Sequence, residues 1–172
     1  MSAAVLETPL FSISAALFTD DGSAGITVPE LREARQRALA EGLPYAGSVA
    51  PDVAWTLFSR GDAIIVDVRS AEERKFVGQV PGTLHAAWMT GLSLSRNPRF
   101  VKELEGKAGK AQAILLLCRS GKRSAAAAEA ATKAGFEQVF NILEGFEGDL
   151  DEQQRRGAFN GWRHAGLPWI QD

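Results

Sequence analysis

Cysteine is almost missing from this chain of 172 residues: Cys118 is the only one. A lone thiol excludes an intramolecular disulfide. With only His85 and His164 beside it there is no metal-ligand cluster, so neither a metal nor another cofactor is expected. An excess of one charge is missing too. Nineteen Lys and Arg against 21 Asp and Glu leave a formal charge of −2 and a pI near 5.8. That balance gives no global attraction to nucleic acid or to an anionic membrane. Long apolar runs are also lacking: Leu10 to Phe18 is broken by Ser12 and Ser14 and is too short to span a bilayer. The N-terminus has neither the basic start nor the uninterrupted apolar core of a signal peptide. No internal repeat stands out. These absences, and a single thiol that suits a reducing compartment, point to a soluble cytoplasmic protein.

What is present is 45% hydrophobic residues, enough for one well-cored domain with an appendage but not for two full domains. The most informative stretch is Leu115-Leu116-Leu117-Cys118-Arg119-Ser120-Gly121-Lys122-Arg123-Ser124, followed by an alanine-rich run. It reads as a buried strand, a short polar loop and a strong helix former. Successive loop N–H groups and the positive end of the helix dipole would stabilise a thiolate at Cys118, or an anion bonded to it. Gly121 lets the loop turn. A cysteine after three leucines is by itself most simply a small buried hydrophobe. Arg119, Lys122 and Arg123 reverse that reading, since a structural cysteine has no use for such charge.

Cys118 to Ser124 resembles the active-site loop of the rhodanese-type sulfurtransferases. Other segments are similar to that family in the same order. They are Val66-Asp67-Val68-Arg69, then Glu72-Glu73, then Gly78-Gln79-Val80-Pro81-Gly82-Thr83, then Asn141-Ile142-Leu143-Glu144-Gly145-Phe146, and finally Trp162 with Gly166-Leu167-Pro168. The resemblance covers residues 48–172 and leaves 1–47 as an N-terminal extension. It implies a Cys118 persulfide, loaded from a small anionic donor such as thiosulfate and discharged to cyanide, a thiol or a protein acceptor, with a protein donor as the alternative. It further implies that the loop residues Arg119, Ser120, Gly121, Lys122, Arg123 and Ser124 bind the anion, that Arg123 orients the loop or binds the anion, and that Ser124 caps the helix. Either Glu72 or Glu73 takes the family's glutamate position. Two rivals stand beside the enzyme reading. One is a persulfide carrier or interaction module. The other is a Cys-dependent phosphatase, disfavoured because four residues rather than five separate Cys118 from Arg123.

The remaining pattern alternates helices and strands, which predicts an α/β domain with a five-stranded parallel sheet and helices on both faces. In the extension, Thr19 to Ser23 reads as a turn. Thr27 and Glu30 look like a capping box, opening a helix from Val28 to Glu41 that stops at Gly42. The extension either covers the domain, builds a dimer contact or is a packed decoration, and nothing in the sequence sets an oligomeric state. A helix is expected from Pro51 to Gly61, and a buried strand over 63–68 carries Asp67 and Arg69 at its carboxyl end, most simply as an ion pair. Ser70 and Glu73 make a capping box. Thr83 to Trp88 is expected as a strand, with His85 a satisfied histidine rather than a base for Cys118. Ser93 to Arg99 reads as a polar loop, Phe100 to Lys107 as a helix and Ala113 to Leu117 as the central strand. The post-loop helix should end at Gly135, and Val139 to Leu143 is the last strand. Residues 148–161 form a surface loop able to flank the site, and Trp162 to Trp169 a packed closing segment.

Overall fold

The uninterrupted apolar runs form the centre of the sheet, as burial on both faces requires. The computed structural model describes residues 25–172; the stretches at Leu10–Phe18 and Thr19–Ser23 lie outside the described residues. The elements are α1 (Pro29–Glu41), β1 (Gly47–Val49), α2 (Pro51–Arg60), β2 (Ile64–Asp67), α3 (Ala71–Val77), β3 (Leu84–His85), β4 (Met89–Thr90), β5 (Ser95–Arg96), α4 (Phe100–Glu105), β6 (Ile114–Leu117), α5 (Lys122–Lys133) and β7 (Val139–Ile142). The five-stranded sheet has the order β1-β7-β6-β2-β3 and all its pairs are parallel. From β2 the chain goes outward to β3, and from β6 it goes the other way to β7. The carboxyl ends of β2 and β6 therefore flank a topological switch point, where α/β sheets place their ligand sites.

Strand periodicity divides the core. Ile65, Leu115 and Leu117 face a layer with Leu31 and Ala34 of α1, Ala54 and Leu57 of α2, and Trp162. Val66, Ile114 and Leu116 face Phe100 and Leu104 of α4 and Ala127, Ala128 and Ala131 of α5. The alanines of α5 let the helix lie close to the strands. Helices thus cover both faces. Among the described residues no helix is long and apolar enough to cross a membrane.

Several local expectations need correction. Thr27 does not cap α1: the N-cap is Val28, with no side-chain cap hydrogen bond. Pro29 starts the helix and holds Val28 extended, so Thr27 falls one residue too early, and the Glu30 carboxylate goes instead to Arg60 at 3.0 Å. The strand expected over 83–88 is ladder-paired only at Leu84–His85. The expected polar loop contains β5, which pairs antiparallel with β4 across the turn at Gly91. The Ser70–Glu73 capping box is present, with Glu73 N–H donating to Ser70 Oγ at 3.3 Å and Ser70 N–H to Glu73 Oε2 at 3.0 Å.

At the end of β2, Asp67 and Arg69 are fully buried and face each other. Arg69 donates from Nη2 to Asp67 Oδ2 at 2.7 Å and from Nε to Oδ1 at 3.0 Å, and Nη2 also reaches the carbonyl of Gly78 at 2.7 Å. Its guanidinium carbon lies 4.1 Å from the centroid of the Phe146 ring, and Arg74 Nε approaches Asp67 Oδ2 at 3.5 Å. A buried pair of this kind costs more to break than it contributes when made. Arg69→Met should therefore destabilise the fold by about 3–5 kcal/mol in urea denaturation. A loss below about 1 kcal/mol, the range of a surface pair, would show that Arg74 alone satisfies the carboxylate.

Candidate functional site

β6 delivers Cys118 to the switch point one residue beyond Leu117, which is in register with Asp67. The side chain is a free thiol, 1% exposed. Gly121 N–H donates to its Sγ at 3.1 Å, and Ser124 Oγ lies at 3.1 Å. Gly121 is the N-cap of α5 with φ +88°, and that left-handed conformation turns its N–H back onto the sulfur. Sγ thus sits at the positive end of a twelve-residue helix. Ser124 does not cap that helix. Because α5 starts at Lys122, Ser124 lies inside the first turn, fully buried, and its hydroxyl points between Cys118 Sγ and Asn141 Oδ1, the latter at 2.6 Å.

The loop is braced from behind. Phe146 N–H donates to the Cys118 carbonyl at 2.7 Å and Glu147 N–H to that of Arg119 at 2.9 Å. This approach requires glycine at 145: a Cβ there would meet the Cys118 carbonyl oxygen at 2.5 Å. The brace is itself held by the chain end, through Trp162 N–H on the Gly145 carbonyl at 2.8 Å and Gly161 N–H on Glu144 Oε2 at 2.9 Å.

The loop cations differ in their commitments. Arg123 is clamped by Glu73, Nη1 to Oε2 at 2.8 Å and Nη2 to Oε1 at 2.6 Å, so Glu73 rather than Glu72 meets the loop. Burial pushes the Glu73 carboxyl up, but the hydrogen bonds from Arg123 and Ser70 and the charges of Arg123 and Arg69 outweigh it and hold the group below the usual carboxylate range. Its hydrogen bonds to Glu73 hold Arg123 still more firmly charged, against its own burial. Arg119 and Lys122 make no ion pair among the described residues, and the Nε of Arg119 is buried without a hydrogen-bond partner. Both line an open cavity of about 510 Å³ with Ser120, Arg123, Leu94, Asp149, Leu150 and Arg156. Arg156, from the 148–161 loop, donates to the Gly148 carbonyl at 2.7 Å. The mouth is cationic and suits an anion.

Asp67 and Arg69 bind each other beside the loop, and neither makes a hydrogen bond to Sγ among the described residues; Arg69 Nη1 is buried without a hydrogen-bond partner. His85 Nε2 lies 2.8 Å from the Arg69 carbonyl and is not paired with Cys118. Among the described residues no group of three or more His, Cys, Asp and Glu side chains could hold a metal ion. A second cavity of about 520 Å³, rimmed by Glu30, Glu33 and Glu41, is lined by neither Cys118 nor any cation of its loop. Sequence reasoning missed Asn141 as a member of the site. The available signal was a polar residue inside the buried run Val139-Phe140-Asn141-Ile142, since a buried amide needs a partner.

Comparison with known proteins agrees with this geometry. The family model described as a rhodanese-like domain matches residues 50–152. An uncharacterized protein of Rickettsia prowazekii is 35% identical over 115 residues, covering 66% of this chain and 87% of that one. A chloroplastic protein of Arabidopsis thaliana named thiosulfate sulfurtransferase 16 is 30% identical over 132 residues, covering 76% of this chain and 98% of its own. Among solved structures, the crystal structure of Rv0390 from M. tuberculosis aligns with a TM-score of 0.68 and 41% identity over 74% of this chain and 99% of that one. The chain belongs to the rhodanese-like domain family.

Proposed function

We propose that the chain is a sulfurtransferase that moves sulfane sulfur through a Cys118 persulfide, with thiosulfate as donor and cyanide or a cellular thiol as acceptor. The observation that carries this reading is the position of the chain's only thiol. It is held by Gly121 N–H at the start of α5, beneath a mouth with two cations, Arg119 and Lys122, that make no ion pair among the described residues. The thiolate attacks the outer sulfur of thiosulfate; a new S–S bond forms, the donor's S–S bond breaks, and sulfite leaves with that electron pair. The persulfide keeps one negative charge, for which the loop N–H, the helix end and the cations are already arranged. An acceptor then attacks the outer sulfur, leaves with it as thiocyanate or a new persulfide, and restores the thiolate. Because Arg123 is spent on Glu73, it serves to hold the loop while Arg119 and Lys122 meet the donor. That division also argues against a phosphatase, which needs the arginine free for phosphate. The name of the Arabidopsis thaliana relative supports thiosulfate as donor. A lone reactive thiol stays reduced, and so ready to meet a donor, in a reducing compartment such as the cytoplasm.

Intact-protein mass after incubation with thiosulfate tests the reading. One added sulfur atom should appear, should leave on addition of cyanide as thiocyanate, and should be absent from a folded Cys118→Ser variant. An unchanged mass in the wild type, or sulfur uptake by the variant, would sink it. Continuous thiocyanate production marks an enzyme, whereas a single discharge marks a carrier.

The Glu73–Arg123 clamp makes a separate prediction. A carboxylate held below its ordinary range adds stability that is fully present above that range and is lost as pH falls through the folded-state value. The stability gap between wild type and Glu73→Gln should therefore be constant near neutrality and close under acid conditions. Denaturation midpoints measured across pH check this, and a gap that widens in acid would contradict the clamp.

A further inference from the structure

The buried hydroxyl of Ser124 carries one proton but faces two acceptors, Cys118 Sγ at 3.1 Å and Asn141 Oδ1 at 2.6 Å. It can donate to only one at a time. When Cys118 is a thiol the count closes: S–H donates to Ser124 Oγ, and Ser124 donates to Asn141 Oδ1. When the sulfur is an anion it only accepts, so the Ser124 proton must swing to it. Asn141 Oδ1 would then face Ser124 Oγ lone pair to lone pair. An asparagine has a way out, because its two amide ends are nearly the same size. A half-turn of the amide presents Nδ2–H to Ser124 Oγ without altering the packing. Ser124 is fully buried and Asn141 is 4% exposed, which limits the relief that bulk water can offer either group.

We propose that Ser124 and Asn141 form a two-state hydrogen-bond switch, in which Asn141 is a positioning residue that directs the Ser124 proton toward the sulfur whenever the sulfur is anionic. The inference deepens the sulfur-transfer reading and rests on it for its purpose, since thiolate and persulfide are the two anions of that cycle. No proton passes between Ser124 and the sulfur: the hydroxyl rotates, the amide turns, and the thiol proton leaves to water. The charged and titratable groups carried by the surrounding elements are Arg119, Lys122 and Arg123 on the loop and α5, Asp67 at the end of β2 and Arg69 after it, Glu73 on α3, His85 on β3 and Glu144 after β7. All of them stay in place when only Ser124 or Asn141 is changed.

The test is the ultraviolet absorbance of the thiolate followed against pH in the full chain, read as the difference from Cys118→Ser. Because the chain has one cysteine, the signal is single. Ser124→Ala should move the midpoint upward by about one pH unit, the effect of losing one hydrogen bond to an anion. Asn141→Asp supplies only acceptors, so it should move the midpoint upward through Ser124 as well as through its charge. Its shift should shrink in the Ser124→Ala background, where charge alone remains. A midpoint untouched by Ser124→Ala, or equal Asn141→Asp shifts in the two backgrounds, overturns the switch. If Asn141→Asp does not fold, the side-chain amide resonances of Asn141 in the nitrogen-labelled wild type decide: they should move with thiolate formation, and resonances that stay fixed overturn the proposal. No sulfur donor enters these measurements. A chain that takes no sulfur from thiosulfate yet shows the coupled titration loses the transfer reading and keeps the switch.

Discussion

The buried contact between Asp67 and Arg69 is the interaction on which the site most depends. It lies at the switch point, and its reach exceeds its own loop: Arg69 ties the carbonyl of Gly78 after α3, and its guanidinium covers Phe146. Phe146 in turn carries the N–H that holds the Cys118 carbonyl. The main chain of Cys118 is thus fixed by a ring packed against a charge that is itself neutralised in place. In a low-dielectric interior such a pair tolerates little displacement, because any separation leaves two desolvated charges.

Around that anchor the cations are sorted by their partners. Arg69 and Arg123 are bound to carboxylates and serve architecture, while Arg119 and Lys122 open to the cavity. A loop carrying three like charges would repel itself if all were left free. Clamping Arg123 with Glu73 lowers that repulsion and leaves charge only at the mouth, where a ligand can use it. The thiol itself is almost enclosed, so the dipole at the start of α5 and the Gly121 N–H act on it with little screening by water.

Much of this was legible in the sequence, and the illegible parts share a cause. The apolar runs at 63–68 and 113–117, the box at Ser70 and Glu73 and the glycine after α5 are local signals, and they correspond to the elements observed. The cap at Val28 was misread because the proline after it outweighs a good capping side chain nearby. β4 and β5 are two residues each, too short to show a period. The partner of Arg123 lies fifty positions away, and choosing Glu73 over Glu72 needed the helix phase that only the fold supplies. Asn141 was visible as a polar residue among apolar ones, but its partner Ser124 was assigned to the helix end. The real start of α5 at Lys122, two residues earlier, turned that hydroxyl inward.

The 148–161 loop has one further consequence. Its two ends are stapled together, with Asp149 N–H on Asn160 Oδ1 at 2.8 Å and Asn160 Nδ2 on Asp149 Oδ2 at 2.9 Å. Whatever lies between those ends is topologically a side branch of the domain, closed before it reaches the sheet. Doubling the length of such a branch adds only about 0.6 kcal/mol of closure entropy. Arg156 and Leu150, which line the mouth, sit on this branch. The rim of the cavity can therefore diverge between relatives while the Cys118 loop beneath it stays unchanged.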